Sequence, residues 1–195
     1  MKKRDLGICQ DEIQVGVTLT AFMTGVTIFF TGLLLTKFDS YDLSIKIPIL
    51  FLIVSTFGFL YSTLIFGNAS AQLSRLDHRK FDKFMLVGDY ISEYFGVYCL
   101  VLAIPLVINI ITQDLFLRWA TLLVVLSGLI LYHSGGFSIM ERNFQRLHRL
   151  FISIIVLLEI FAFYTQIYLR EYFLYISLVL LAFITFLAYL AKKEE

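Results

Sequence analysis

Six apolar stretches, each long enough to cross a lipid bilayer, follow one another along this chain with only short charged connections between them. A spanning helix needs about 20 mostly apolar residues, because the hydrocarbon core is about 30 Å thick and an α-helix rises about 1.5 Å per residue. The stretches fall near residues 13–36, 47–67, 86–111, 116–137, 150–169 and 172–191. Backbone groups in hydrocarbon must bond within their own segment, so such stretches fold as helices. The expected fold is all-α: a polytopic membrane protein with six transmembrane helices in one transmembrane domain, residues 1–195. At 59% hydrophobic residues, the chain has no room for a separate soluble domain.

Charge then sets the orientation, since cytoplasmic loops carry an excess of lysine and arginine. With spans alternating in direction, one side collects Lys2, Lys3, Arg4, Arg75, Arg79, Lys80, Lys83, Arg142, Arg146, Arg149, Lys192 and Lys193. Of the 16 basic residues, the other side receives only Lys37, Lys46, Arg118 and Arg170. Both termini are therefore expected in the cytoplasm, and the protein in the cell (plasma) membrane. The first stretch is too long for the apolar core of a signal peptide, and Asp11 and Glu12 interrupt its basic start. Asn68-Ala69-Ser70 matches a glycosylation sequon but falls on the cytoplasmic side, so it is read as chance. Cys9 and Cys99 lie in different environments and form no CxxC pattern, which speaks against a disulfide or a metal site; palmitoylation of Cys9 is the sharper alternative.

The spans read as three hairpins, with signs of parallel repetition. Tyr61, Phe66, Arg75 and Leu76 recur at one constant spacing as Tyr132, Phe137, Arg146 and Leu147, and the same spacing carries Gly25-Val26 onto Gly96-Val97. A second match pairs Glu93-Tyr94-Phe95-Gly96-Val97-Tyr98 with Glu159-Ile160-Phe161-Ala162-Phe163-Tyr164, both of the form E-x-F-small-x-Y. Hairpins that start and end on one side would be related by an axis along the membrane normal. Spans two and four turn amphipathic at their inner ends, so helix is expected to continue to about Leu76 and Leu147, with Gly135-Gly136 the place for a bend. Pro48 suits the first turn of span two, and Pro105 should kink span three toward its outer end.

Costly polar residues carry the functional signal. A carboxylate in mid-bilayer costs at least about 2.5 kcal/mol on insertion scales. Asp89, Glu93 and Glu159 fall inside expected spans, and His133 lies near the inner end of span four. At about 1.5 Å per residue, Glu93 lies roughly 10 Å and Glu159 roughly 15 Å from the inner boundary. Asp89 and Glu93, four residues apart, share a helix face. If the E-x-F-small-x-Y match reflects equivalent positions, Glu93 and Glu159 face a common centre, where a shared proton or a cation would relieve their repulsion. The structural alternative has each acid bonded to Tyr98, Tyr164, His133 or Asn68 and merely fixing helix packing.

Among 11 tyrosines and 20 phenylalanines, Tyr41, Trp119, Tyr168, Tyr172 and Tyr175 fit an outer aromatic belt, while Tyr90, Tyr94 and Tyr98 run along span three. His133-Ser134 is no catalytic pair, because adjacent helical side chains diverge. Neither a Gly-rich phosphate loop nor a metal-ligand spacing is present, so the sequence names no cofactor or metal, and a membrane enzyme ranks third behind the two readings that follow. The reading is a channel or transporter for a cation, proton or small solute. Its acidic site lies in the cytoplasmic half of the bundle and comprises Glu93, Glu159, Asp89, His133, Tyr98 and Tyr164. The alternative is a non-transporting scaffold, sensor or effector that signals through cytoplasmic helix extensions. The expected partners are the lipid bilayer, a cation or proton, and further copies in a homo-oligomer, with no specific nucleic acid.

Overall fold

A computed structural model of the chain describes residues 6–36, 38–40, 43–74, 78–135, 138, 140, 144 and 147–193. Every element among them is helical: α1 (Leu6–Thr36), α2 (Lys46–Ser74), α3 (His78–Tyr90), α4 (Cys99–Ile111), α5 (Leu115–Ser134), α6 (His148–Tyr168) and α7 (Arg170–Lys193). Short 3-10 turns at Phe38–Ser40 and Leu43–Ile45 lead into α2, and a π-helical stretch, Ile91–Tyr98, joins α3 to α4 as one continuous third span. Six helices are long and apolar enough to cross a membrane: Cys9–Thr36, Lys46–Leu73, Arg79–Ile111, Leu115–Ser134, His148–Tyr168 and Arg170–Ala191. Their outer faces carry large apolar side chains. Phe22, Phe29, Leu123, Val124, Leu131 and Tyr175 are each more than half exposed. In water such surface would drive aggregation; in hydrocarbon it is the solvent-facing surface.

The third span is the hub. It packs on α2 along α3, the π-helical stretch and α4, and it also meets α5, α6 and α7. Helix α1 lies along α2, and α6 along α7. Helix α2 packs on the third span as well as on α1, so contacts between the expected hairpins are as much a part of the bundle as contacts within them.

Sequence periodicity explains the α1–α2 seam. Ile13, Val17, Thr20, Thr24, Thr27, Thr31 and Leu34 recur at spacings of three and four, the heptad stripe of a helix pair. Its threonines are small enough for close approach, and they leave no hydroxyl idle. Thr24 donates to Thr20 O at 2.8 Å and Thr31 to Thr27 O at 2.7 Å, while Thr20 Oγ1 lies 2.8 Å from Thr63 Oγ1 on α2.

Closer still is the contact of α2 with the π-helical stretch. A Cβ on Gly58 would lie 2.6 Å from Gly96 N and 2.7 Å from Phe95 C, so only glycine lets the two backbones meet. Ser55 Oγ donates to Gly96 O at 2.7 Å and Ser62 Oγ to Gly88 O at 2.9 Å, fixing the same seam with buried interhelical bonds.

Two expectations about helix ends part ways. Helix α2 begins two residues ahead of Pro48, which sits in its first turn, and runs on through residues 69–74 to Ser74 as expected; Leu76 lies outside the described residues. Span four is interrupted: helix α5 ends at Ser134 with Gly135 as its cap and Ser138 is not helical, but Met140 and Phe144 beyond it are. The amphipathic pattern beyond Phe137 instead serves to turn Ser138, Met140 and Phe144 inward, where all three are buried. Gly136, Phe137, Ile139, Glu141, Arg142, Asn143 and Arg146 lie outside the described residues, as do Lys2, Lys3, Arg4, Lys37, Tyr41 and Arg75. Helix α4 carries on through Pro105 to Ile111. Both Cys9 and Cys99 are buried, and neither is in a disulfide.

Candidate functional site

Glu93 stands in the π-helical stretch and is 2% exposed. Its carboxylate gathers at least four donors from the described residues. Oε1 accepts from Ser138 Oγ at 2.6 Å, Tyr98 Oη at 3.1 Å and Met140 N–H at 3.3 Å, and Oε2 accepts from Tyr132 Oη at 3.0 Å. Four neutral donors around a buried carboxylate replace the hydration it has lost. Three of them come from the end of α5 and the connection that follows. The acid therefore ties that connection to the third span.

The Glu93–Tyr98 bond depends on helix type. In an α-helix, residues five apart lie about 140° around the axis and cannot meet. A π-helix pairs residues five apart, which brings Tyr98 back over Glu93. Tyr98 Oη also lies 2.8 Å from His133 Nε2, with the two rings stacked at 5.6 Å between centroids. A phenol has one hydrogen; when that of Tyr98 goes to Glu93, the pair with His133 is made by the tautomer that carries its hydrogen on Nε2. The other ring nitrogen, Nδ1, is buried and has no hydrogen-bond partner among the described residues. His133 lines a cleft of about 420 Å³ between the end of α5 and the start of α6. The result is a directed chain: cleft, His133, Tyr98, Glu93.

The other expected site residues stand apart from it. Glu159 on α6 is fully buried, and neither carboxyl oxygen has a hydrogen-bond partner among the described residues. It faces the interior, as does Glu93, but no hydrogen bond links it to Tyr164, which is 44% exposed. The equivalence of the two E-x-F-small-x-Y segments thus fails in structure: one is π-helical with a buried tyrosine, the other α-helical with its tyrosine turned outward. Tyr164 is turned away from the Glu93 network, its ring 4.8 Å from that of Tyr168 and tilted 40° to it. Asp89 is half-buried and borders a different feature, an open groove of about 810 Å³ between α1 and α3 that Asp11, Glu12 and Asp82 also line.

Several polar residues escaped the sequence reading. Tyr132, Ser138 and Met140 bond Glu93, yet only the fold brings them there. Asn109 and Gln166 form a second buried pair toward the other end of the bundle: Asn109 Nδ2 donates to Gln166 Oε1 at 2.8 Å, and Gln166 Nε2 to Leu106 O at 3.1 Å. These amides were visible in sequence as polar residues inside spans, and the argument applied to the acids finds them equally well.

Six apolar helices with lipid-compatible outer faces and an interior polar network make this an integral membrane protein. No family model, curated protein or solved structure matches the chain.

Proposed function

We propose that the protein conducts protons through its bundle, and that His133, Tyr98 and Glu93 form the relay at its basic end. The continuous hydrogen-bonded chain from the cleft to Glu93 carries this reading. A proton reaching His133 Nδ1 lets Nε2 pass its own proton to Tyr98 Oη as the Tyr98 proton moves to Glu93. One proton enters, one arrives at Glu93, and the imidazole is left in its other tautomer, which must reset before the next transfer. Histidine and buried acids are the groups that proton pathways in membranes use. Glu159, a deeper buried acid without a partner among the described residues, is the next station.

The test is proton flux in reconstituted liposomes, with the purified protein, an imposed pH gradient and an internal pH dye. Tyr98→Phe keeps the ring and its stacking but removes the hydroxyl between His133 and Glu93. We expect flux to fall at least about tenfold while the melting temperature changes little. A wild-type protein that moves no protons under any gradient sinks the proposal.

A second reading has one observation in its favour. Glu93 holds Ser138 and Met140, so it also serves as a structural tie for the α5–α6 connection. A scaffold or sensor would need that tie and no flux at all.

We further assign the basic end of the bundle to the cytoplasm, in the cell membrane, supported by the distribution of the 16 lysines and arginines. In cells, single-cysteine variants at Lys80 and Lys193 should react with an impermeant maleimide only after the membrane is opened. Reaction of either in intact cells reverses the orientation.

A further inference from the structure

The hairpin of α6 and α7 holds an acid that the rest of the bundle does not serve. Glu159 is fully buried, neither of its oxygens has a hydrogen-bond partner among the described residues, and no ion pair reaches it from them. Ser177 on α7 is 1% exposed, and its Oγ is likewise without a partner among them. Buried polar groups in folded proteins are almost always bonded, to protein, to water or to an ion. Two such groups on helices packed against each other point to a species that binds both.

Sequence spacing places the two groups in neighbouring layers. Ile155, Glu159 and Ala162 belong to the buried stripe of α6, and Ser177, Leu180 and Ile184 to that of α7, at alternating spacings of three and four. Only Leu169 separates the two helices, which run back along each other. Positions mirrored about that turn share a layer. Ala162 therefore stands opposite Ser177, and Glu159 opposite Leu180 one layer further in, about 5 Å along the axis. The layer beside the acid is made of two small residues, one of which carries the unpartnered hydroxyl.

The bound species has two demands to meet. A carboxylate in an apolar interior needs a positive charge beside it, and the serine oxygen needs a partner. A water molecule supplies no charge. A proton on Glu159 leaves the Ser177 oxygen as it was. A cation coordinated by both groups meets both demands. The ligands are all oxygen, which selects a hard cation, and a single carboxylate balances a single charge. Groups of three His, Cys, Asp or Glu side chains, which divalent and transition metals favour, are absent among the described residues. We propose that Glu159 and Ser177 bind a small monovalent cation of the class of Na+. This inference shares only Glu159 with the proton reading, and its readout is binding, so either can fail alone.

The test uses the full chain in a mild detergent at constant ionic strength, with NaCl replacing choline chloride and the melting temperature as readout. Na+ well above half-saturation should raise the melting temperature by about 5 °C, because a ligand that binds only the folded state stabilises it by mass action. Glu159→Gln should melt cooperatively and lose this shift. Ser177→Ala should raise the half-saturating Na+ concentration about tenfold, and Glu171→Gln, at an exposed acid of the same hairpin, should leave it unchanged. No Na+ shift in the wild type overturns the site, and a shift that survives Glu159→Gln overturns its location. A larger rise with Mg2+ than with Na+ overturns the monovalent assignment. Should Glu159→Gln not fold, the Ser177→Ala titration decides: an unchanged half-saturation overturns the site.

Discussion

Replacing Glu93 by alanine is expected to destabilise the protein by roughly 3 kcal/mol, whereas Glu93→Gln should fold normally and lose proton flux. The alanine variant leaves Ser138 Oγ, Met140 N–H and two tyrosine hydroxyls without their acceptor. Polar interactions between membrane helices average about 0.6 kcal/mol and reach about 1.7 kcal/mol, and a buried N–H left unpaired costs about 1–3 kcal/mol, so four losses sum to that range. Glutamine behaves differently. Its carbonyl can take the Oε1 position, where Met140 N–H has no choice but to donate. Its amide then faces Tyr132 Oη, a hydroxyl that can turn to accept. The network survives with no group able to receive the proton from Tyr98. Flux should drop by about 100-fold, the scale on which a positioned proton-transfer group contributes. Unfolding in mixed micelles measures the first effect and liposome assays the second. Should glutamine destabilise as strongly as alanine, the acid is a structural tie alone. Normal flux in a folded Glu93→Gln protein removes Glu93 from the path.

The largest packing effect is expected at Gly58. An added Cβ meets backbone atoms of Phe95 and Gly96, which no rotamer change can move aside. Overpacking costs about 1–3 kcal/mol where side chains can adjust, so Gly58→Ala should lie at or above about 3 kcal/mol. Parting α2 from the π-helical stretch would also lengthen the Ser55–Gly96 bond and disturb the turn that aligns Tyr98 with Glu93. Loss of stability and loss of flux should therefore appear together. Gly25 is the control: nothing lies within 4 Å of its added Cβ, so Gly25→Ala should be neutral or stabilising by about 0.5 kcal/mol. A Gly58→Ala protein as stable as wild type would refute the close backbone contact.

What the sequence determined by itself was the membrane architecture. Apolar length demands helices that cross a bilayer, because an unpaired backbone group in hydrocarbon has no other remedy. The same cost argument picked out Glu93, Glu159 and His133 as interior, and all three are buried. It even identified the E-x-F-small-x-Y spacing of Glu93 and Tyr98, though not what the spacing does. That was decided by tertiary structure. Identical spacing in Glu159 and Tyr164 yields an exposed tyrosine, because α6 is an ordinary α-helix there. In the third span, the π-helical stretch against Gly58 of α2 brings residues five apart onto one face. A local pattern cannot encode a helix type that a neighbouring backbone stabilises. The Gly135-Gly136 pair marked the break at the end of α5, but nothing local could foresee that Ser138 and Met140 beyond it would return to Glu93, since a buried carboxylate draws donors from wherever the fold offers them.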